Sequence, residues 1–213
     1  MSEVSEHAVP VQIVTLGSMI VKMPMPKGMI DDINKIYDEK VSEMKPLNDG
    51  LAGKIKDEHK ISDHLTDDLK GIFKQAFKFY MTQIQKADVY YVEPDRAWVN
   101  EMKAHEYNPA HIHRGMLFTG LSSVMILKLP STYGREYSNA EIPQNGRLQI
   151  LGASNGQFAK IDYQPPMNLR DFYVFPYDMR HCVYPFNGTN ETRRTLAANC
   201  DVQFDPIKNR GAS

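Results

Sequence analysis

Three histidines in this chain stand at spacings that could place them around one metal ion. His111 and His113 are separated by one residue, so on an extended segment both side chains point to the same face of a strand. His181 follows seventy positions after His111, and sheet pairing could bring it alongside the other two. Imidazole nitrogens are common ligands of transition metals. The spacing predicts a three-histidine metal site, although a lone H-x-H pair also fits ordinary polar strand residues.

A strand predicted at residues 194–204 could supply a second functional group. Alternation places Arg193 and Thr195 on one face, with Ala197 and Asn199, and an apolar row from Leu196 on the other. The apolar row should pack against helices, which leaves the Arg193 face to line a polar interior. A guanidinium held there suits two-point binding of a carboxylate. The alternative for Arg193 is a solvated strand end.

The elements that would position these residues are two helices followed by many short strands. Apolar residues recur at helical spacing from Met29 to Met44, and again from Leu65 to Ile84 after a cap at Ser62 or Asp63. A strand is predicted at residues 10–25, and a loop at Asn48 to Gly53. Further strands are predicted near residues 88–92, 96–106, 110–118, 121–129, 146–151, 158–163, 171–175, 181–184 and 194–204. This order indicates an α+β, mainly β fold: a jelly roll with supporting N-terminal helices.

Composition narrows the class of protein. The 213 residues predict a single domain, with an N-terminal strand and supporting helices at 1–87 and a β core at 88–205. Lysine and arginine total 25 against 26 acidic residues, which argues against nucleic acid as a partner. No apolar run approaches twenty residues, which argues against a membrane span. Two cysteines and a polar, acidic N-terminus predict a cytoplasmic location, and a homodimer is left open.

Several short motifs occur in an order that resembles a known superfamily. They are Trp98-x-Asn100, His111-x-His113, Leu121-Ser122-Ser123-Val124, Phe175-Pro176 with His181, and Arg193-x-Thr195. This set resembles the 2-oxoglutarate/Fe(II)-dependent oxygenases, and is most similar to oxygenases of bacteria and tailed phages that are related to prolyl hydroxylases. The resemblance covers about residues 90–205. A phage origin would place the protein in the host cytoplasm.

The resemblance implies a double-stranded β-helix that holds Fe(II) near its mouth. His111 and His181 would be iron ligands, Arg193 would bind the far carboxylate of the cosubstrate 2-oxoglutarate, and Thr195 would assist it. The expected activity is hydroxylation of a C–H bond with dioxygen, releasing succinate and CO2. The substrate would be peptidyl or a small molecule, and residues 131–146 could form a lid or a plain surface loop.

His113 is the point of departure from the family pattern. Better-known members have H-x-D or H-x-E, so that two histidines and one carboxylate bind the metal. His113 stands where that acid would be, and is either a third neutral ligand or no ligand at all. Two other classes therefore stay open: a non-catalytic jelly-roll binding or structural protein with a degenerate site, and a cupin-like dioxygenase with three histidines and no 2-oxoglutarate.

Overall fold

Ten strands and two α-helices make up the fold in a computed structural model that describes residues 17–48, 53–137, 143–152 and 161–205. The helices are α1 (Lys27–Lys40), continued by a 3-10 turn at Val41–Glu43, and α2 (Asp67–Phe79), continued by a π-helical turn at Tyr80–Ile84. The strands are β1 (Val21–Pro24), β2 (Asp57–Lys60), β3 (Asp88–Met102), β4 (Asn108–His111), β5 (Gly120–Lys128), β6 (Leu148–Leu151), β7 (Asp162–Tyr163), β8 (Asp171–Pro176), β9 (Arg180–Val183) and β10 (Arg193–Asp205).

The strands form two antiparallel sheets. The major sheet has the order β1-β8-β5-β10-β3-β2, and the minor sheet has the order β4-β9-β6-β7. Neighbours in the major sheet are far apart in sequence, as in a strand path that winds between two sheets. The predicted jelly roll, or double-stranded β-helix, is confirmed.

The helices pack on the outer face of the major sheet. Phe73 and Phe77 of α2 both meet Phe172 of β8 edge to face, at ring-centroid distances of 5.7 and 6.3 Å. Leu196 and Cys200 of β10 lie fully buried in the same apolar core. The helices therefore support the sheet from behind, and the opposite face of β10 is left to face the minor sheet.

Arg194 lies on the helix side and is fully paired. Its guanidinium donates to Glu101 of the adjacent β3 at 2.7 and 2.9 Å, and to Asp38 of α1 at 2.7 Å. It also lies 4.5 Å from the ring centroid of Tyr37. Arg194 therefore shares the helix side of β10 with Leu196, as the predicted alternation requires, and it ties α1 to the sheet.

Several predicted boundaries are wrong. The two strands predicted at 88–92 and 96–106 form one strand, β3, because Pro94 lies at a register shift in its pairing with β10. The strand predicted at 110–118 ends at His111, and β2 was not predicted at all. The second helix is capped by Thr66, which accepts from the Leu69 amide at 3.3 Å, rather than by Ser62 or Asp63.

Parts of other predicted elements, residues 10–16, 49–52, 138–142 and 158–160, lie outside the described residues. The arrangement as one domain divided after residue 87 stays a prediction. Within the described ranges, no helix is both long enough and apolar enough to cross a membrane.

Candidate metal centre

Strand pairing in the minor sheet places His111 and His181 directly opposite each other. The two residues are direct cross-strand partners of β4 and β9, and their ring centroids lie 4.3 Å apart. A register irregularity between Asn108 and His111 bends β4 at this point. Such bulges turn side chains toward a site. Two of the three predicted histidines therefore meet through the sheet itself.

His113 reaches the same point from the loop after β4. Its amide donates to the Tyr177 carbonyl at 3.1 Å, and its Nε2 atom lies 3.1 Å from Nε2 of His181. The ligand atoms of the three histidines all lie within 4.8 Å of one another. The structure thus brings together all three histidines, although His113 lies after the end of β4 and not within a strand as predicted.

Two backbone hydrogen bonds orient the histidine rings. The Nδ1–H group of His111 donates to the Pro109 carbonyl at 2.7 Å, and that of His181 donates to the Met179 carbonyl at 3.1 Å. A neutral imidazole that donates through Nδ1 keeps a lone pair on Nε2. Both Nε2 lone pairs are therefore available to a ligand inside the cluster.

Burial keeps the cluster uncharged. Desolvation, followed by the neighbouring imidazoles, lowers the pKa of His113 to about 2, and burial together with His111 lowers the pKa of His181 to about 4. Burial also lowers the pKa of His111. Neutral imidazole is the form that binds metal ions.

The distances within the cluster fit a metal ion. Two nitrogen ligands about 2.1 Å from an ion and at right angles to each other lie about 3 Å apart. The 3.1 Å separation of the His113 and His181 Nε2 atoms matches that value. All three ligands are neutral, so a bound divalent ion would keep its full charge.

A buried carboxylate holds the loop that carries His113. Asp201 of β10 accepts from the Met116 amide at 3.0 Å, the Leu117 amide at 3.2 Å and the Tyr177 hydroxyl at 3.2 Å. Gly115 lies against this carboxylate so closely that an added Cβ atom would come within 2.1 Å of its Oδ1 atom. The loop conformation therefore requires glycine at this position.

We expect the Gly115→Ala substitution to weaken metal binding without unfolding the protein. The methyl group must displace the loop from Asp201, which moves His113 away from His181. Equilibrium dialysis with Fe(II) should show affinity reduced by about tenfold to a hundredfold, the range seen when groups that orient ligands are lost. Gly28→Ala, where an added Cβ meets nothing within 4 Å, is the matched control. Equal affinities in both variants would contradict the role given to this loop.

Arg193 is the most deeply buried charged side chain near the cluster. It is 1% exposed, and its Nε and Nη2 atoms have no hydrogen-bond partner in the described part of the chain. Burial lowers its pKa to about 10. The buried hydroxyl of Tyr133 also has no partner among the described residues, and this residue contributes to the electrostatics of Arg193. An unpaired buried guanidinium is costly unless an anion binds to it.

A cavity of about 740 Å³ lies between the sheets and contains the cluster. His111, His113 and His181 line it from the minor-sheet side, and Thr195 and Asn199 line it from β10, as the alternation predicted. Arg193 precedes Thr195 by two residues on the same face, about 7 Å along the strand. The cavity is large enough for a small cosubstrate beside a metal ion.

Acid should destabilise the metal-free protein through these histidines. An unfolded histidine has a pKa near 6.5, whereas the folded values are lowered, to about 4 for His181 and about 2 for His113. The unfolded state therefore binds more protons below pH 6.5, and stability that is complete above pH 6.5 is lost as the pH falls toward 4. Each histidine contributes a slope of up to about 1.4 kcal/mol per pH unit.

Urea unfolding in the presence of a chelator at pH 7.5, 6.5 and 5.5 measures this slope. His113→Gln, which cannot be protonated, should show a shallower loss of unfolding free energy than the wild type between pH 6.5 and 5.5. Parallel pH profiles for the two proteins would show that His113 is not held neutral by the fold.

A double-stranded β-helix with a histidine cluster inside its cavity is typical of jelly-roll proteins that bind a metal ion. A family model described as "Putative 2OG-Fe(II) oxygenase" matches residues 96–199, which include the three histidines, Arg193 and Thr195. In this region the chain is similar to the 2-oxoglutarate/Fe(II)-dependent oxygenases. No curated protein sequence matches it significantly.

Solved structures agree with this fold. A prolyl-4-hydroxylase from Pseudomonas putida superimposes with a TM-score of 0.58 at 12% identity, covering 86% of this chain and 92% of that one. The viral collagen prolyl hydroxylase of Paramecium bursaria Chlorella virus-1, in a complex with 2-oxoglutarate, gives 0.53 at 11% identity, covering 86% and 96%. The epimerase SnoN, in complex with Fe³⁺, α-ketoglutarate and nogalamycin RO, gives 0.57 at 12% identity, covering 91% and 87%.

Sequence reasoning missed three buried polar groups that bear on the site. Asp201 and the hydroxyl of Tyr133 were not assigned a role, and Glu58 lies on the unpredicted strand β2. Residues 131–137 of the predicted lid are tied down through Asn145, which donates to the Tyr133 carbonyl at 2.7 Å. The inward position of Asp201 follows from the same alternation that placed Thr195 and could have been found. Nothing in the sequence indicated β2 as a strand.

Proposed function

We propose that the protein is an Fe(II)- and 2-oxoglutarate-dependent oxygenase that hydroxylates a C–H bond of a peptidyl or small-molecule substrate, with release of succinate and CO2. The observation that carries the proposal is Arg193. Its guanidinium is buried without a partner in the described structure, on the face of β10 that lines the cavity of the histidine cluster. The far carboxylate of 2-oxoglutarate has the charge and shape to satisfy it.

Each residue of the site has a separate task in this proposal. His111, His113 and His181 would hold Fe(II) through their Nε2 atoms, since Nδ1 of His111 and His181 is engaged by backbone carbonyls. Arg193 would bind the far carboxylate, with hydroxyl groups of Thr195 and Tyr133 available to donate to it. When bound, iron and 2-oxoglutarate supply the oxidising power that transfers an oxygen atom from dioxygen to the substrate.

The apolar walls would exclude water from the reaction. Trp98 packs on His113 at a centroid distance of 5.4 Å, and Phe175 packs on His181 at 5.0 Å. These rings limit the motion of the histidines and lower the local dielectric, which strengthens the interaction of Arg193 with a carboxylate.

Anaerobic titration of the Fe(II)-loaded protein with 2-oxoglutarate tests the proposal. We expect a weak visible charge-transfer band that saturates with 2-oxoglutarate and does not form with succinate, which lacks the keto group. Iron binding without the band would favour the two other classes. A three-histidine dioxygenase without 2-oxoglutarate would still consume dioxygen, whereas a non-catalytic jelly roll would not.

A further inference from the structure

A second unpaired ionisable group faces the same cavity, from strand β2. Glu58 is 4% exposed and belongs to the cavity lining. It lies opposite Asn100 of β3, which in turn lies opposite Thr195 of β10, and all three line the cavity. Directly opposite residues of a sheet point to the same face. His59, one residue on, points to the helix side, where its Nδ1 atom lies 3.3 Å from the Tyr37 hydroxyl.

The Glu58 carboxyl has no partner within the described residues. No hydrogen bond or ion pair of its side chain is found there, and burial alone raises its pKa to about 7. The lysine and arginine side chains of the cavity lining, Lys45, Arg96 and Arg114, are exposed to solvent. The Oδ1 atom of Asn100 beside Glu58 is buried and also has no partner in the described part of the chain. Glu58 and Asn100 thus offer hydrogen-bond acceptors without a partner to a ligand in the cavity.

Glu58 lies to the side of the place proposed for 2-oxoglutarate. The carboxylate-binding Arg193 is on β10, two strands away from β2 and about 10 Å across the sheet. Glu58 is a diagonal neighbour of Trp98, at a distance of about 7–8 Å between their backbones, and Trp98 contacts His113. A cosubstrate that extends along β10 toward the histidines would leave Glu58 uncovered.

We propose that Glu58 is a specificity-determining residue that binds a cationic group, an amine or guanidinium, on the substrate of this enzyme. The inference rests on the proposed function and names its substrate class: a molecule or peptide with a basic side chain. A buried carboxylate next to an amide oxygen without a partner accepts hydrogen bonds from a ligand, whereas Arg193 donates them. Arg193 would bind the anionic cosubstrate and Glu58 the cationic substrate, so the two ligands would bind at different walls of the cavity.

Binding of matched probes tests this inference. The probes are the N-acetyl methylamides of lysine and norleucine, and of arginine and citrulline, titrated by calorimetry into the anaerobic Fe(II)·2-oxoglutarate protein. We expect the cationic member of at least one pair to bind about tenfold to a hundredfold more tightly than its neutral counterpart. Glu58→Gln should abolish that preference. Asp57→Asn, an acid-to-amide change on the same strand at the surface pair with Lys103, should leave it intact.

The outcomes separate this inference from the proposed function. If the visible band forms but cationic and neutral probes bind equally, or none binds at millimolar concentration, the assignment of Glu58 is wrong while the oxygenase proposal stands. A cationic preference that survives in Glu58→Gln also overturns it. Failure of the band in the wild type counts against the proposed function, and the preference for cationic probes can then be measured on the metal-free protein. Thermal unfolding of Glu58→Gln controls for folding.

Discussion

Arg193→Met should lose 2-oxoglutarate binding and keep the metal. Methionine fills much of the same volume but cannot donate to a carboxylate, and the three histidines do not contact it in any hydrogen bond. Removing one partner of a buried charge pair costs about 3–5 kcal/mol, which corresponds to a loss of affinity of a hundredfold or more. Anaerobic titration should show Fe(II) bound as in the wild type, with no charge-transfer band at 2-oxoglutarate concentrations that saturate the wild type.

In the absence of ligands, Arg193→Met should leave the stability of the protein unchanged or raise it. The guanidinium of Arg193 is buried without a partner in the described structure, so its removal relieves an unfavourable desolvation. The metal-free variant should therefore unfold at an equal or higher urea concentration than the wild type. Arg180→Met, at an exposed arginine of strand β9 in the minor sheet, is the matched control and should alter neither property. Normal 2-oxoglutarate binding by Arg193→Met would show that the carboxylate site lies elsewhere.

Loss of a histidine from the cluster should remove the metal. We expect His111→Ala and His181→Ala each to reduce Fe(II) affinity by more than a hundredfold, because the remaining two imidazoles cannot hold the ion at three points. His113→Ala should do the same, since its Nε2 atom lies as close to His181 as two ligands of one ion. Equilibrium dialysis under anaerobic conditions measures each affinity. His105→Ala, at an exposed histidine outside the cluster, is the control.

His113→Asp distinguishes a ligand from a bystander. A carboxylate at this position recreates the two-histidine, one-acid pattern of better-known relatives, so iron binding should be retained or strengthened. Full iron binding and turnover in His113→Ala would mean that His113 does not bind the metal, and the site would then have two protein ligands.

The sequence could predict the strand faces better than the strand limits. Alternation along β10 placed Thr195 toward the cavity and Leu196 toward the helices, because side-chain direction in a strand has a strict period of two. The limits depended on tertiary contacts: β3 continues through Pro94, and the segment after His111 leaves the sheet because Asp201 holds it. The local sequence indicates neither contact.

Distance in the chain explains what was missed at the candidate site. Tyr133 acts on Arg193, and Asp201 acts on the loop of His113, through contacts between residues that are far apart in the chain; alternation along β10 gives only the inward direction of Asp201. Glu58 is on a four-residue strand, Asp57–Lys60, in which every residue is polar or charged, so the strand resembles a solvated segment. By contrast, His111 and His181 were found because strand pairing places them directly opposite each other, and His113 joins them from the loop after β4.

The roles of the adjacent arginines at the start of β10 depend on the register of the strand. A shift of one residue against β3 and β5 would turn Arg193 toward α1 and its acids, and would turn Arg194 into the cavity. The chemical identity of the two side chains is the same, so composition cannot distinguish the correct alignment. The residues that follow distinguish it, because the same shift would turn the apolar Leu196 into the cavity and the polar Thr195 toward the helices. The alternation after the two arginines therefore fixes which guanidinium pairs with Glu101 and Asp38 and which one is left free to bind an anion.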